Sequence, residues 1–133
     1  MVEINAYSKT KDGGKKLSAN FTVKEFACKD GSDAVLTAPR LVMVLQSIRS
    51  HFAAPVVIHS AYRTPQYNAK VGGAAHSQHC YGTAADISVR GQTPAAVAAY
   101  ARQLMPDWGG VGVYAGQGFT HVDVRETRSD WTG

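Results

Sequence analysis

The chain has 133 residues, is 44% apolar and 18% charged, carries two cysteines and has a net charge of +4. This is one domain's worth of chain with the composition of an ordinary soluble protein. It excludes a helical membrane protein, because no run approaches the roughly 20 consecutive apolar residues of a span. It also argues against a disulfide-framed scaffold, which usually needs more cysteines, so Cys28 and Cys80 are expected to be reduced and partly buried. The positive charge comes with no arginine-rich run and no nucleic-acid motif. No nucleic-acid partner is therefore expected, and the charge suits at most an anionic polymer. Met1 to Lys16 lacks the apolar block of about 7–15 residues that marks a secretory signal peptide. That predicts a protein made and kept in the cytoplasm, or one that leaves it by another route.

Residues 1–20 are polar, with Gly13-Gly14 and several lysines. They are expected as an N-terminal arm, extended or a strand followed by a mobile loop, ahead of a single domain over 21–133. Thr22-Val-Lys-Glu25 has the capping-box spacing and predicts a short helix through Phe26. Lys29 to Asp33 reads as a turn. Thr37 is placed to cap a helix with Pro39 in its first turn, and Leu41, Leu45, Ile48 and Phe52 recur at helical spacing over 38–51. Pro55 ends it, and Val56-Val57-Ile58 reads as a short buried strand. Thr64-Pro65 starts a helix stopped by Gly72-Gly73, and a polar loop follows from Ala74 to Gly82. Ala84 to Val89 reads as a strand. Thr93-Pro94 opens an alanine-rich helix ending near Met105-Pro106. Val111 to Tyr114 and Phe119 to Val124, separated by Ala-Gly-Gln-Gly, predict an antiparallel hairpin. Together these elements predict an α+β fold, a small antiparallel sheet with flanking helices.

The chemistry concentrates in His76-Ser-Gln-His79-Cys-Tyr-Gly82-Thr-Ala-Ala-Asp86. His79 falls in the loop and Asp86 on the next strand, with Gly82 available for a tight turn between them. That arrangement can bring an imidazole and a carboxylate to one metal. Zinc accepts both, and a catalytic zinc typically takes three protein ligands and keeps one position open. Phe119-Thr-His121-Val-Asp123 supplies a third ligand. His121 and Asp123 are two apart on a predicted strand and so share a face, with Thr120 and Val122 on the other. His76 is a further candidate, near the metal by sequence only.

Ser77-x-His79-x-x-Gly82-x-Ala84-x-Asp86, followed by a strand with His121, resembles the zinc D-alanyl-D-alanine carboxypeptidase-like peptidase family (M15). Its relatives include D-Ala-D-Ala dipeptidases, phage endolysin peptidases and the zinc fold of hedgehog domains. The resemblance extends to Ser60-Ala-Tyr62-Arg63-Thr-Pro-x-Tyr67-Asn68, to Phe21-Thr-x-x-Glu25-Phe26-Ala-Cys28 and to Asp123-Val-Arg125, and is strongest to short single-domain phage and prophage members. It implies one Zn2+ per chain on His79, Asp86 and His121, with Arg63 facing the substrate. Tyr62, Tyr67, Asn68, Ser77 and Gln78 would shape the groove.

The implied activity is hydrolysis of peptidoglycan stem peptides or cross-links, by carboxypeptidase or endopeptidase action. A monomer is expected, reaching the wall through a lysis system. One departure matters: many relatives carry an acidic general base three residues before the last histidine ligand, where this chain has Gly118. Asp123 is the nearest acidic alternative, and two roles stay open for it, general base or partner that fixes the tautomer of His121. The departure also leaves room for a metal-containing module that binds wall peptides without cutting them.

Overall fold

The computed structural model describes residues 2–133. In chain order it contains β1 (Asn5–Ser8), the single turn α1 (Lys9–Asp12), β2 (Lys16–Ser18), β3 (Phe21–Thr22), β4 (Ala34–Thr37) and α2 (Pro39–Phe52). These are followed by β5 (Val56–Ser60), α3 (Pro65–Lys70), β6 (Ala84–Val89), α4 (Pro94–Leu104), β7 (Gly110–Tyr114), β8 (Phe119–Asp123) and β9 (Ser129–Thr132). Two 3-10 turns, Val23–Phe26 and Gln78–Tyr81, complete the set.

A five-stranded sheet in the order β5-β6-β8-β7-β9 organises the molecule, with helices against it. The α+β expectation holds, but the sheet is mixed rather than antiparallel. β5, β6, β8 and β7 pair antiparallel, whereas β9 joins the outer edge of β7 in parallel. After β8 the chain crosses the end of β7 and runs back along its free side. The polar sequence Ser-Asp-Trp-Thr gave no strand signal for this.

Strand alternation gives the sheet two different faces. Ala85, Ile87 and Val89 of β6, Val122 of β8 and Val111 of β7 point to the helices and join Leu41, Leu45 and Ile48 of α2 and Val97 and Ala101 of α4 in one core. Asp86, His121 and Asp123 occupy the alternate positions and face away from it. Burial of the helical stripe on α2 is thus what fixes which sheet face is left for chemistry.

Several local expectations need correction. Thr37 does not cap α2: it lies in β4, the cap position is Ala38, and no side-chain cap bond forms. Thr37 Oγ1 is instead buried with no hydrogen-bond partner. Val56-Val57-Ile58 forms a strand as expected but is buried on one face only: β5 is a sheet edge, Ile58 joins the core with Val56 packed against it, and Val57 is 51% exposed. Its β-branched side chains reported strand propensity, not full burial. The stretch expected as a mobile loop after the first strand holds α1, and β1 pairs with β4. Asp33 anchors it, accepting bonds from Ser8 Oγ and from Thr10 N at 2.8 Å each. The capping box forms as expected, with Thr22 N donating to Glu25 Oε2 at 2.7 Å. The caps at Thr64 and Thr93 form too.

Candidate metal centre

The site is a row of side chains across the sheet. The register places Ser60 opposite Asp86, Asp86 opposite His121, His121 opposite Gly112 and Gly112 opposite Trp131. His79 enters from the 3-10 turn that precedes β6, where Ser77 Oγ caps its backbone N–H at 3.2 Å. The three predicted ligands therefore converge: one ligand atom each from His79, Asp86 and His121 lie within 4.8 Å of one another, and all three residues are buried.

The ring nitrogens are assigned by their outer partners. His79 Nδ1 faces the Ala61 carbonyl at 2.7 Å. A carbonyl only accepts, so Nδ1 carries the proton and Nε2 keeps its lone pair. That lone pair points at Asp86 Oδ1, 3.3 Å away. His121 Nε2 lies 2.8 Å from Asp123 Oδ2, so it is the protonated nitrogen in the neutral ring. His121 Nδ1 then directs its lone pair at the same Asp86 Oδ1, at 3.0 Å. Three electron-rich atoms at these distances repel unless a cation or proton stands among them. Two imidazole nitrogens and a carboxylate are a borderline-soft set of the size and type zinc takes. The residues fit a metal ion.

The electrostatics express the same tension. Burial alone would raise the Asp86 carboxyl, but the bonds from His121 and His79 hold it well below the usual range. Burial alone would lower His121, and Asp123 and Asp86 outweigh that and raise it.

Asp123 is fully buried and its oxygens are saturated. Oδ1 accepts from Gly110 N (3.0 Å), Arg125 N (3.1 Å) and Arg125 Nε (2.8 Å), while Oδ2 takes Arg125 Nη2 (2.6 Å) and His121 Nε2. Burial would raise this carboxyl too, but Arg125 first and then His121 hold it well below the carboxylate range.

Two glycines make this packing possible. A Cβ on Gly110 would run into the Asp123 carboxylate, and one on Gly112 would lie 2.5 Å from Trp131 Nε1. The indole therefore folds across β7 to reach His121, with ring centroids 4.9 Å apart. It donates from Nε1 to Tyr114 Oη at 2.8 Å and carries the Arg125 guanidinium over its ring. Arg102 holds β9 in place, donating to the Ser129 carbonyl and pairing with Asp130 at 2.8 Å.

The centre opens into a cleft of about 610 Å3, whose lining includes Arg63, His76, Ser77, Gln78, Tyr114 and Trp131. Arg63 is fixed by four contacts: its N–H donates to the His79 carbonyl, Nε to Ser60 Oγ, Nη1 to Asn68 Oδ1 and Nη2 to Asp86 Oδ2. Asn68 is buried and does not line the cleft; it braces Arg63 and donates to the Ala74 carbonyl. Tyr62 is buried and outside the cleft lining, and Tyr67 lines a different depression with Lys29 and Asp30. Gln78 accepts from Thr83 Oγ1 at its amide oxygen. Asp123 lies behind His121, outside the cleft lining. Apart from Asp86, no carboxylate among the described residues lines this cleft, and Gly118 is exposed at the hairpin turn. Both cysteines are free, as expected.

Sequence reasoning missed Trp131, Tyr114 and the glycines of β7 as parts of the site. The alternation Gly-Val-Gly-Val-Tyr was the available signal, since it empties one strand face opposite His121.

Among known protein families, residues 17–123 match the family described as Peptidase M15. No curated protein matches. The matched span covers most of the chain and holds His79, Asp86 and His121, so the chain belongs to the peptidase M15 family.

Proposed function

We propose that this M15 peptidase uses zinc to hydrolyse peptidoglycan stem peptides or cross-links, as a D-Ala-D-Ala carboxypeptidase or endopeptidase. In a phage or prophage setting it would act as an endolysin, reaching the wall after release by a lysis system and working as a monomer. The observation that carries the reading is the convergence of two imidazole lone pairs on Asp86 Oδ1 at the wall of an open cleft.

Zinc held by His79, Asp86 and His121 would supply an acidified water and a polarised carbonyl. The chain's own residues supply the rest. Ala61 and Asp123 fix the two ring tautomers, so both ligand nitrogens are ready without reorganisation. Arg63 is braced by Ser60 and Asn68, which holds its guanidinium in the cleft lining beside Asp86. From there it can hold a carbonyl oxygen as charge develops, or a substrate carboxylate. Arg125 adds a second cation to the lining, which suits a peptide ending in a carboxylate. Asp123 acts on His121 rather than on substrate: it is saturated, held ionised and behind the ring. That leaves His76 as the remaining imidazole of the lining able to exchange a proton with substrate.

The lack of a free carboxylate in the cleft favours a second reading, a metal-containing module that binds wall peptides without cutting them. Digestion of purified peptidoglycan by zinc-loaded protein, read by mass spectrometry, decides between them. The enzyme releases D-Ala or exposes new amino groups and stops when His79 is replaced by Ala. Intact muropeptides across a broad pH range, with retained peptide binding, would establish the module instead.

A further inference from the structure

A second concavity is larger than the metal cleft. It is a groove of about 790 Å3 along the outer face of α2, walled by β1, β2 and the start of α2, with Tyr100 of α4 at its far end. It lies on the helical side of the sheet and shares no lining residue with the cleft. The α2 residues that line it run from Pro39 to His51, which at the helical rise is about 18 Å.

Its lining has an unusual composition for this protein. The chain carries 14 Lys+Arg and 10 Asp+Glu, yet none of them lines the groove. Hydroxyls and amides line it, interleaved with rings and with the aliphatic side chains of Leu17, Pro39, Val42 and Met43. Gln46 is already built into the wall, accepting from Ser18 Oγ at 2.6 Å and donating to Asn20 Oδ1 at 2.8 Å. At one end Thr37 is 2% exposed, lines the groove and has a hydroxyl without any partner. Tyr7 Oη only accepts, from Asn5 Nδ2, so its own proton is unspent. At the other end the His51 and Tyr100 rings stack, with centroids 3.7 Å apart and planes at 9°.

This lining selects among ligand classes. A phosphate or carboxylate would meet no cation in the lining, the nearby Lys15 Nζ being engaged over the Tyr7 ring 5.6 Å from its centroid, and a cationic peptide would meet no acid there. A purely apolar segment would bury the hydroxyls and amides without partners, at a cost for each. A neutral chain that presents hydroxyls at its edges and C–H faces between them matches both the polar groups and the rings.

We propose that this groove binds a neutral oligosaccharide strand, laid along α2, with Thr37 Oγ1 and Tyr7 Oη as unspent donors and the His51–Tyr100 stack as an aromatic platform. The proposal rests on the lining and does not depend on the peptidase reading.

The test is an amide-resonance titration of the full chain with neutral N-acetylglucosamine oligomers of three to six units. Saturable shifts at Tyr7, Ser47, His51 and Tyr100 are expected, with His79 and His121 unmoved and no zinc required. Thr37→Val removes the orphaned hydroxyl, so it should leave thermal stability intact or raised while weakening binding roughly 2- to 10-fold, the value of one hydrogen bond. Ser47→Arg, which puts a long cation into the groove, should abolish the shifts. The proposal is overturned if the oligomers give no saturable shift at millimolar concentration, if the shifts map to the cleft, or if both variants titrate like the wild type. Groove shifts that grow with protein concentration alone would assign the surface to a second copy and equally overturn it. Because muropeptide cleavage is not measured here, failure of the peptidase reading is seen separately.

Discussion

Asp123→Asn separates the two roles that an acid beside His121 can play. The change keeps the shape of the side chain and replaces one oxygen by an NH2 group. Oδ1 already accepts from Gly110 N and Arg125 N, so the amide oxygen stays there and the NH2 faces His121 Nε2 and Arg125. His121 Nε2 must then accept, which moves the ring proton to Nδ1, the nitrogen directed at Asp86. A protonated Nδ1 cannot ligate. Loss of such an outer partner typically costs about 10- to 100-fold in metal affinity, or roughly 1.4–2.7 kcal/mol. The Arg125 guanidinium also loses its counter-charge, but at 30% side-chain exposure it can turn to water. The stability loss should therefore fall near 1–3 kcal/mol, below the roughly 3–5 kcal/mol of a fully buried pair. Competition for zinc with a chromophoric chelator, alongside urea unfolding of the metal-free protein, measures both. If Asp123→Asn binds zinc within twofold of wild type while hydrolysis vanishes, Asp123 is the general base and the orienting role is wrong.

Gly112→Ala should push Trp131 off His121, because the new Cβ lies 2.5 Å from the indole nitrogen. A loss of about 1–3 kcal/mol is expected from overpacking, with weaker zinc binding, and unchanged urea midpoint and affinity would refute the close approach. Arg63→Lys keeps the charge but cannot reproduce bonds to Ser60, Asn68 and Asp86 together. Turnover on a wall peptide should fall roughly 100-fold or more, and a change in KM alone would make Arg63 a binding group only. The pH dependence has a worked sign. Asp86 and Asp123 are held below their ordinary 3.8, so their contribution is present above that value and lost as pH falls below it. His121 is held above 6.5, so its contribution is complete below 6.5 and lost as pH rises through the raised value. The metal-free protein should melt highest between about pH 4 and 6.5. Zinc must displace the His121 proton, so its increment in Tm should grow toward pH 8. A metal-free Tm that climbs steadily to pH 8 would contradict this.

What the sequence made legible follows from the range of the physics involved. α2 and α4 show their faces in a few turns of apolar spacing, and β6 and β8 show theirs by alternation, so the three ligands could be set on converging elements without coordinates. β9 could not be found this way. Ser129–Thr132 has no apolar period, and its place beside β7 depends on Arg102 reaching from α4 to the Ser129 carbonyl and Asp130. The misread of Thr37 has the same origin. A threonine before a proline looks like a helix cap locally, but pairing of Asn5 with Thr37 in the β1–β4 ladder claims that residue for a strand and shifts the cap to Ala38. Asp123 shows the limit most clearly. Alternation put it on the metal face, and it is there; whether it meets substrate or stands behind His121 depends on Gly110, which leaves room for the carboxylate, and on Arg125, which closes over it. A residue whose partners lie on two strands and on the loop that follows them has a role that only the assembled sheet can assign.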